Sequence, residues 1–163
     1  MLNQPLIQEL KHEATSTKKM LERIPEDKFD WTPHEKSRTL GQLASHVADL
    51  PAFLTSILTM DDLDFAKGHY KAYDTKTPEE LADLFQQKLD EAVQALQNTS
   101  DEKMQASFTL RSGDHVIAAL PRIVAVRSMA FNHIVHHRGQ LSVYLRLLDI
   151  PVPGMYGPSA DER

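Results

Sequence analysis

One segment is the most informative about both the fold and the chemistry of this chain: Asn132-His133-Ile134-Val135-His136-His137-Arg138-Gly139-Gln140-Leu141. On a helix, residues four apart lie on the same face, so His133 and His137 stack closely enough to hold one ion. A third candidate, His46, lies far upstream in the apolar, helix-like run 40–48. If the two helices face each other, three neutral imidazoles converge and leave a fourth coordination position open, as in reactive rather than structural metal sites.

Length and composition restrict the class of protein. A chain of 163 residues predicts a single domain spanning 1–163, large enough to bury a core without cross-links. Because the chain has no cysteine, any metal must be held by nitrogen and oxygen, which suits zinc, nickel, iron or manganese. The net charge of −5 argues against a nucleic-acid partner, which requires a basic face.

The sequence also gives expectations about location. The start, Met1-Leu2-Asn3-Gln4-Pro5, lacks the charged and apolar regions of a signal peptide. The longest weakly charged run, 39–60, is interrupted by Asp49 and Pro51 and indicates a buried helix rather than a membrane span. We therefore expect a cytoplasmic protein with no membrane partner.

Apolar spacing and capping signals predict four long helices, over about 4–24, 39–57, 77–98 and 121–149. Thr39 with Gln42, and Thr77 with Glu80, fit capping boxes at the starts of the second and third helices. Residues 61–76 show no period and predict a long loop, and 107–118 predict a short β-hairpin. Together these elements predict an all-α, four-helix bundle with irregular connections and a hairpin before the last helix.

The polar residues near the histidines are open to two interpretations. His133 and His137 could instead form hydrogen bonds with backbone or carboxylates and bind nothing, but convergence with His46 favours a metal. Asp49, one turn after His46, could orient an imidazole or join the coordination shell, or it could be an ordinary solvated carboxylate. Residues Gln140 and Tyr144 fall on the same helical arc as the histidine pair. They could line a cavity beside the metal or be core polar groups with local partners.

Other features narrow the chemistry. Ile134 follows His133, so the glutamate base of the His-Glu-x-x-His protease pattern is absent. Because His136 lies about 100° around the helix from His137, we expect it at the surface or behind the ligands. Arg138 points away from the metal arc and is expected to form an ion pair or a subunit contact. The remaining histidines are expected to be exposed and without a role: His12, His34, His69 and His115.

Three segments carry a family resemblance. They are Phe29-Asp30-Trp31-Thr32-Pro33 with the following 39–46, the histidine run 132–141 continuing to 146, and Pro151-Val152-Pro153 with 156–162. Together they resemble the DinB-like family of metal-binding four-helix bundles. The resemblance implies that His46, His133 and His137 are the ligands of nickel, zinc or iron. It also implies that water completes the shell and that the protein is a homodimer.

Two functions from different classes fit the candidate site. Characterised members of the family include thiol-dependent transferases and isomerases that use low-molecular-weight thiols such as bacillithiol or mycothiol. The first hypothesis is therefore a metal-dependent thiol S-transferase, or a related lyase or hydrolase, acting on a small molecule. The second is a non-catalytic, metal-stabilised dimeric bundle that acts in a stress response. A bundle without metal, whose core histidines are satisfied by hydrogen bonds, is a third possibility.

Overall fold

The computed structural model describes residues 1–68 and 72–162, so the prediction for His69 lies outside the described residues. Four long helices account for much of the chain: α1 Asn3–Leu21, α2 Leu40–Thr59, α3 Pro78–Gln97 and α6 Asn132–Leu147. Two short helices lie between α3 and α6: α4 Asp101–Gln105 and α5 Arg122–Ala125. The strands are β1 Asp62–Asp64, β2 Ser107–Ser112 and β3 His115–Pro121. None of the helices in these ranges has the length and apolar character needed to cross a membrane.

The predicted helix starts are confirmed, with one difference. At α2 the Thr39 hydroxyl accepts from the Gln42 N–H, and the Gln42 side chain accepts from the Thr39 N–H, which completes the capping box. At α3 the Thr77 hydroxyl accepts from the Glu80 N–H, but the Glu80 carboxylate accepts from the Lys76 N–H instead of returning to Thr77. Each arrangement satisfies N–H groups that the first turn of a helix leaves unpaired.

The apolar stripes predicted from the sequence form the core. The helix α2 packs against α3 and α6, and α1 packs against the same two helices. One buried cluster surrounds Leu10, Leu54 and Phe108, and the other surrounds Leu43 and Leu141. Because α2 contributes to both clusters, it fixes the position of α6, which carries the histidine pair.

The all-α prediction was incomplete, because the protein is mostly helical with a small three-stranded sheet. The predicted hairpin is confirmed as the antiparallel pair β2–β3, turning at Gly113, whose φ is +59°. The predicted loop 61–76 was partly wrong, because it contains β1, which pairs in parallel with β2. Three residues are too few to produce a detectable alternation, so this strand depends on a partner that is distant in sequence.

The last long helix also differs from the prediction. The sequence predicted a regular helix over 121–149, whereas the chain is helical over 122–147 and includes a π-helical segment, Val126–Phe131. This segment contains no proline or glycine that would mark an irregular turn. Such π-helical turns are rare and frequently lie at functional sites. Here the segment ends two residues before His133.

A buried arginine ties α6 to α1 and to the C-terminal segment. Arg138 is only 2% exposed, and its guanidinium donates to the Glu13 carboxylate at 2.6 Å and to the Thr17 hydroxyl at 3.1 Å. It also donates to the Tyr156 hydroxyl at 2.6 Å, and that hydroxyl donates to Glu13 at 2.9 Å. The ion pair predicted for Arg138 is therefore confirmed, and it anchors the segment after α6 against α1.

We expect Arg138→Met to lower the free energy of unfolding by about 3 kcal/mol, because the Glu13 carboxylate would remain buried without its cation. Urea denaturation at neutral pH measures this loss. The matched control is Arg146→Met, which removes the exposed pair with Asp161 and should cost much less. Equal losses in the two variants would contradict the anchoring role of Arg138.

Candidate metal centre

The packing of α2 on α6 brings the three predicted histidines together. The Nε2 atoms of His133 and His137 are 2.8 Å apart, and Nε2 of His46 lies 3.4 Å from Nε2 of His133. One ring nitrogen from each residue lies within 4.8 Å of the other two, and all three side chains are half-buried. The convergence predicted from helical spacing is therefore present. Ligation of an ion by these residues remains a prediction.

The hydrogen bonds of two of these rings indicate which nitrogens carry protons. Nδ1 of His137 lies 2.6 Å from the Gln140 amide oxygen, which can only accept, so this nitrogen holds the proton. His133 hydrogen-bonds the Met129 backbone one turn earlier, in the sense that raises its pKa. Because Nε2 of His133 faces the other imidazoles, we assign this second bond to Nδ1–H. With these tautomers both neutral rings present an unprotonated Nε2, and two such lone pairs at 2.8 Å repel unless a proton or a metal ion lies between them.

The pKa values of the three rings favour the same conclusion. Burial, followed by the nearby charge of Arg38 and the neighbouring imidazoles of His137 and His133, lowers the pKa of His46 to about 3. Burial also lowers the pKa of His133 and of His137. At His137 the hydrogen bond to Gln140 raises the pKa and so opposes the effect of burial. Imidazoles with lowered pKa values are neutral near pH 7, and the neutral form is the one that binds a metal.

The spacing of the donors also fits a divalent ion. Ligand nitrogens about 2.05 Å from a tetrahedral ion are about 3.3 Å apart. The His46–His133 separation of 3.4 Å is close to this value, and the His133–His137 separation of 2.8 Å is shorter. A modest opening of the histidine pair would bring its two nitrogens to this separation. The residues present therefore fit the group that the sequence predicted.

The two candidate pocket residues on α6 have separate roles. Gln140 supports His137 directly, as described above, and is exposed on its outer side. Tyr144 lies one turn further on, where its ring meets Trp31 edge to face at a centroid distance of 5.7 Å. Its hydroxyl donates to the Arg38 carbonyl at 3.2 Å. Tyr144 thus holds the segment before α2 rather than an imidazole.

Asp49 lies apart from the histidines. It is 6% exposed, and the charges that act on it are those of Lys88 and Glu91 on α3. Burial raises its pKa to about 6, with Lys88 opposing the rise. Its Oδ1 atom has no hydrogen-bond partner in the described ranges 1–68 and 72–162. The carboxylate therefore faces α3, and the three-histidine cluster does not include it.

Two cavities adjoin the cluster at different imidazoles. The larger, about 430 Å³, is lined by His133 and His136 together with mainly apolar side chains: Phe53, Phe65, Leu110, Ser128, Met129 and Asn132. The smaller, about 260 Å³, is lined by His46, Arg38 and Gln42 together with residues 72–74. Among the described residues, the cluster is therefore bordered by a cavity on each of two sides.

Of the residues that line the two cavities, His46 and His133 were predicted from the sequence to be functional, and the others were not. Phe53 follows His46 by seven residues, which is about two helical turns, so the period of the helix could have placed it on the same face. No comparable sequence signal marks Arg38, because it precedes α2 and comes near the cluster only in the folded chain. The predicted surface position of His136 is confirmed, and so is the exposure of the silent histidines within the described ranges, namely His12, His34 and His115.

These features define a mostly helical protein with a candidate three-histidine metal centre between two helices. Comparison of the sequence with protein families shows that the chain belongs to the DinB family, whose profile matches residues 1–163.

Individual relatives agree with this assignment. The uncharacterized protein YrdA of Bacillus subtilis is 28% identical over 151 residues, a match that covers 92% of this chain and 85% of YrdA. The crystal structure of the DinB-like protein YjoA of Bacillus subtilis aligns with a TM-score of 0.68 at 17% identity, covering 90% of this chain and 95% of YjoA. A DinB-like protein of Bacillus cereus aligns with a TM-score of 0.68 at 24% identity, covering 91% and 94% of the two chains. At these identities the likeness to the solved structures establishes the fold alone.

We expect Gln140→Leu to weaken divalent-metal affinity by about 10- to 100-fold, because His137 would lose the acceptor that fixes its proton and its ring orientation. Competition with a chromophoric chelator measures the affinity. Tyr144→Phe is the control, since it removes only a hydroxyl that contacts Arg38, and its affinity should stay within about twofold of the parent. An unchanged affinity in Gln140→Leu would argue against the assigned proton on Nδ1.

We expect Asp49→Asn to raise the free energy of unfolding near pH 7.5 by about 1–2 kcal/mol. The pKa of Asp49 is about 6 in the folded state, above its usual value of 3.8, so stability is lost as the pH rises through 6 and the buried group becomes charged. The gain should therefore disappear below about pH 4. Urea denaturation of chelator-treated protein at both pH values tests this, with the exposed Asp83→Asn as control. A gain that is independent of pH would show that charge burial is not its cause.

Proposed function

We propose that this protein is a divalent-metal-dependent enzyme that transfers a group to or from a low-molecular-weight thiol. In this proposal His46, His133 and His137 hold nickel, zinc or iron. The observation that carries it is that the half-buried histidine cluster adjoins two cavities, and that within residues 1–68 and 72–162 no carboxylate or further histidine joins the three imidazoles as a fourth ligand. Structural metal sites are usually closed by a fourth protein ligand, whereas catalytic sites keep one position open.

The chemistry follows from the donor set. When bound, an ion with three neutral ligands lowers the pKa of a thiol or water at its open position, which produces a nucleophile near pH 7. The side chains of the protein supply position and environment. Gln140 and the Met129 carbonyl hold two of the imidazoles, and the apolar side chains of Phe53 and Phe65 border the cavity beside His133. That apolar cavity suits a small electrophilic substrate and excludes water from part of its surface.

A second function has its own support. The candidate ligands come from two helices, so an ion would cross-link α2 to α6 and would add its binding energy to folding. This favours a non-catalytic, metal-stabilised bundle, for which a stress-response role remains the alternative. Three further parts of the proposal are predictions from the sequence analysis: the four long helices as a four-helix bundle, the cytoplasm as the location, and a homodimer as the assembly. Only the homodimer rests on the family resemblance alone.

The first test is the metal content of freshly purified protein. We expect about one divalent ion per chain in the parent, and a loss of that ion in both His46→Ala and His133→Ala. The control is His12→Ala, which removes an exposed imidazole and should leave the metal content unchanged. Elemental analysis gives the stoichiometry. No bound metal in the parent, even after nickel, zinc and iron are offered, would overturn the proposal.

The second test separates the enzyme from the stabilised bundle. Cobalt(II) in the site provides a visible spectrum that changes when a thiolate coordinates. An enzyme of the proposed class should show this change with small thiols and should turn over a panel of thiols with electrophiles. A melting temperature that falls sharply on metal removal, with no spectral response to any thiol and no turnover, would instead support the non-catalytic bundle.

A further inference from the structure

The smaller cavity beside the histidines is lined by an arginine, Arg38, which has no role in the proposed function. This cavity of about 260 Å³ is lined by Arg38, Gln42, His46, Ala72, Tyr73 and Asp74. The charge of Arg38 lowers the pKa of all three imidazoles, so the guanidinium acts on the whole cluster from this side. Arg38 is exposed to solvent, but its charge also opposes the binding of a metal cation beside it, and an anion held between the two charges would reduce that repulsion.

No carboxylate of the described ranges provides that compensation. Arg38 forms no ion pair within residues 1–68 and 72–162. Asp74, which shares the cavity, is 2.6 Å from the Lys76 ammonium. Asp49 is buried towards Lys88 and Glu91 on α3. Three neutral ligands leave a divalent ion with its full charge, so the cavity would be strongly positive once an ion is bound.

The backbone of Arg38 is held by the fold, and its exposed side chain extends from this held position. Its carbonyl accepts from the Tyr144 hydroxyl at 3.2 Å and from the Thr32 hydroxyl at 3.5 Å, and the next residue caps α2. Its neighbour in the cavity, Gln42, uses its side-chain oxygen to complete the capping box. This leaves the amide N–H₂ group of Gln42 as a donor. A cation and a neutral donor on one wall, with an imidazole of the cluster beside them, form a site for a small anion.

We propose that this cavity binds a carboxylate of the substrate or co-substrate, with Arg38 as the anion-binding residue and Gln42 as a second donor. The planar guanidinium fork matches a carboxylate, and a single arginine suits a monoanion better than a phosphate dianion. The inference rests on the proposed function, because it names a chemical feature of the small molecule that reaches the metal. It adds specificity: a thiol that carries a carboxylate is preferred over a neutral thiol of similar size.

The test uses the cobalt(II)-loaded protein and two probes, thioglycolate and 2-mercaptoethanol, which differ in the carboxylate. Spectral titration gives the dissociation constant of each. We expect the parent to prefer thioglycolate and Arg38→Gln to weaken it by about tenfold or more, with 2-mercaptoethanol changed by less than about twofold. Arg38→Lys should retain part of the preference, because the charge remains while the fork is lost. Lys36→Gln removes an exposed cation of the same segment and should leave both constants unchanged.

The outcomes separate this inference from the proposed function. If both thiols perturb the spectrum but Arg38→Gln leaves their ratio as in the parent, the carboxylate subsite is wrong and the thiol function stands. If neither thiol perturbs the spectrum of the parent, both claims are overturned. If Lys36→Gln weakens thioglycolate as much as Arg38→Gln does, general charge attraction is the cause and the subsite is wrong. Circular dichroism and cobalt stoichiometry establish that each variant is folded and loaded.

Discussion

The facing ring nitrogens of His133 and His137, 2.8 Å apart at the contact between α2 and α6, impose the constraint on which the site depends. Each ring donates the N–H of its other nitrogen to an acceptor on its own helix, Gln140 or the Met129 backbone, and this bond restrains the orientation of the ring. Burial favours the neutral form of both rings. A cation between the nitrogens would relieve the repulsion of their lone pairs, which links the packing of the helices to metal binding.

The rest of the protein holds this contact in place. The α2 helix is fixed at its start by a complete capping box and along its length by two buried clusters. The α6 helix is fixed by Arg138, whose ion pair with Glu13 joins it to α1 and to Tyr156. Aromatic contacts position the segment before α2, where Tyr144 meets Trp31 and holds the Arg38 backbone. The backbone of Arg38, whose side chain lines the smaller cavity, is therefore held by the same helix that carries the histidine pair.

Local signals were sufficient for the long helices and for the candidate ligands. The i, i+4 spacing of His133 and His137 places both on one face whatever surrounds the helix, and Thr39 with Gln42 marked the start of α2. The hairpin was also predictable, because two short runs of strand-forming residues flank a turn at Gly113. These features depend on neighbours in sequence, and the structure contains them.

What the sequence could not determine depends on contacts between distant segments. By itself it established the order of the helices, the histidine pair and the absence of thiolate ligands. The tertiary structure decided that β1 joins β2, that Asp49 faces α3, and that Arg38 borders the metal centre. The π-helical segment before His133 is also a feature of the tertiary structure, because no residue pattern in the sequence indicated it. Strand pairing, burial and electrostatic partners arise when remote residues meet, and helical periodicity carries no information about which remote residues those are.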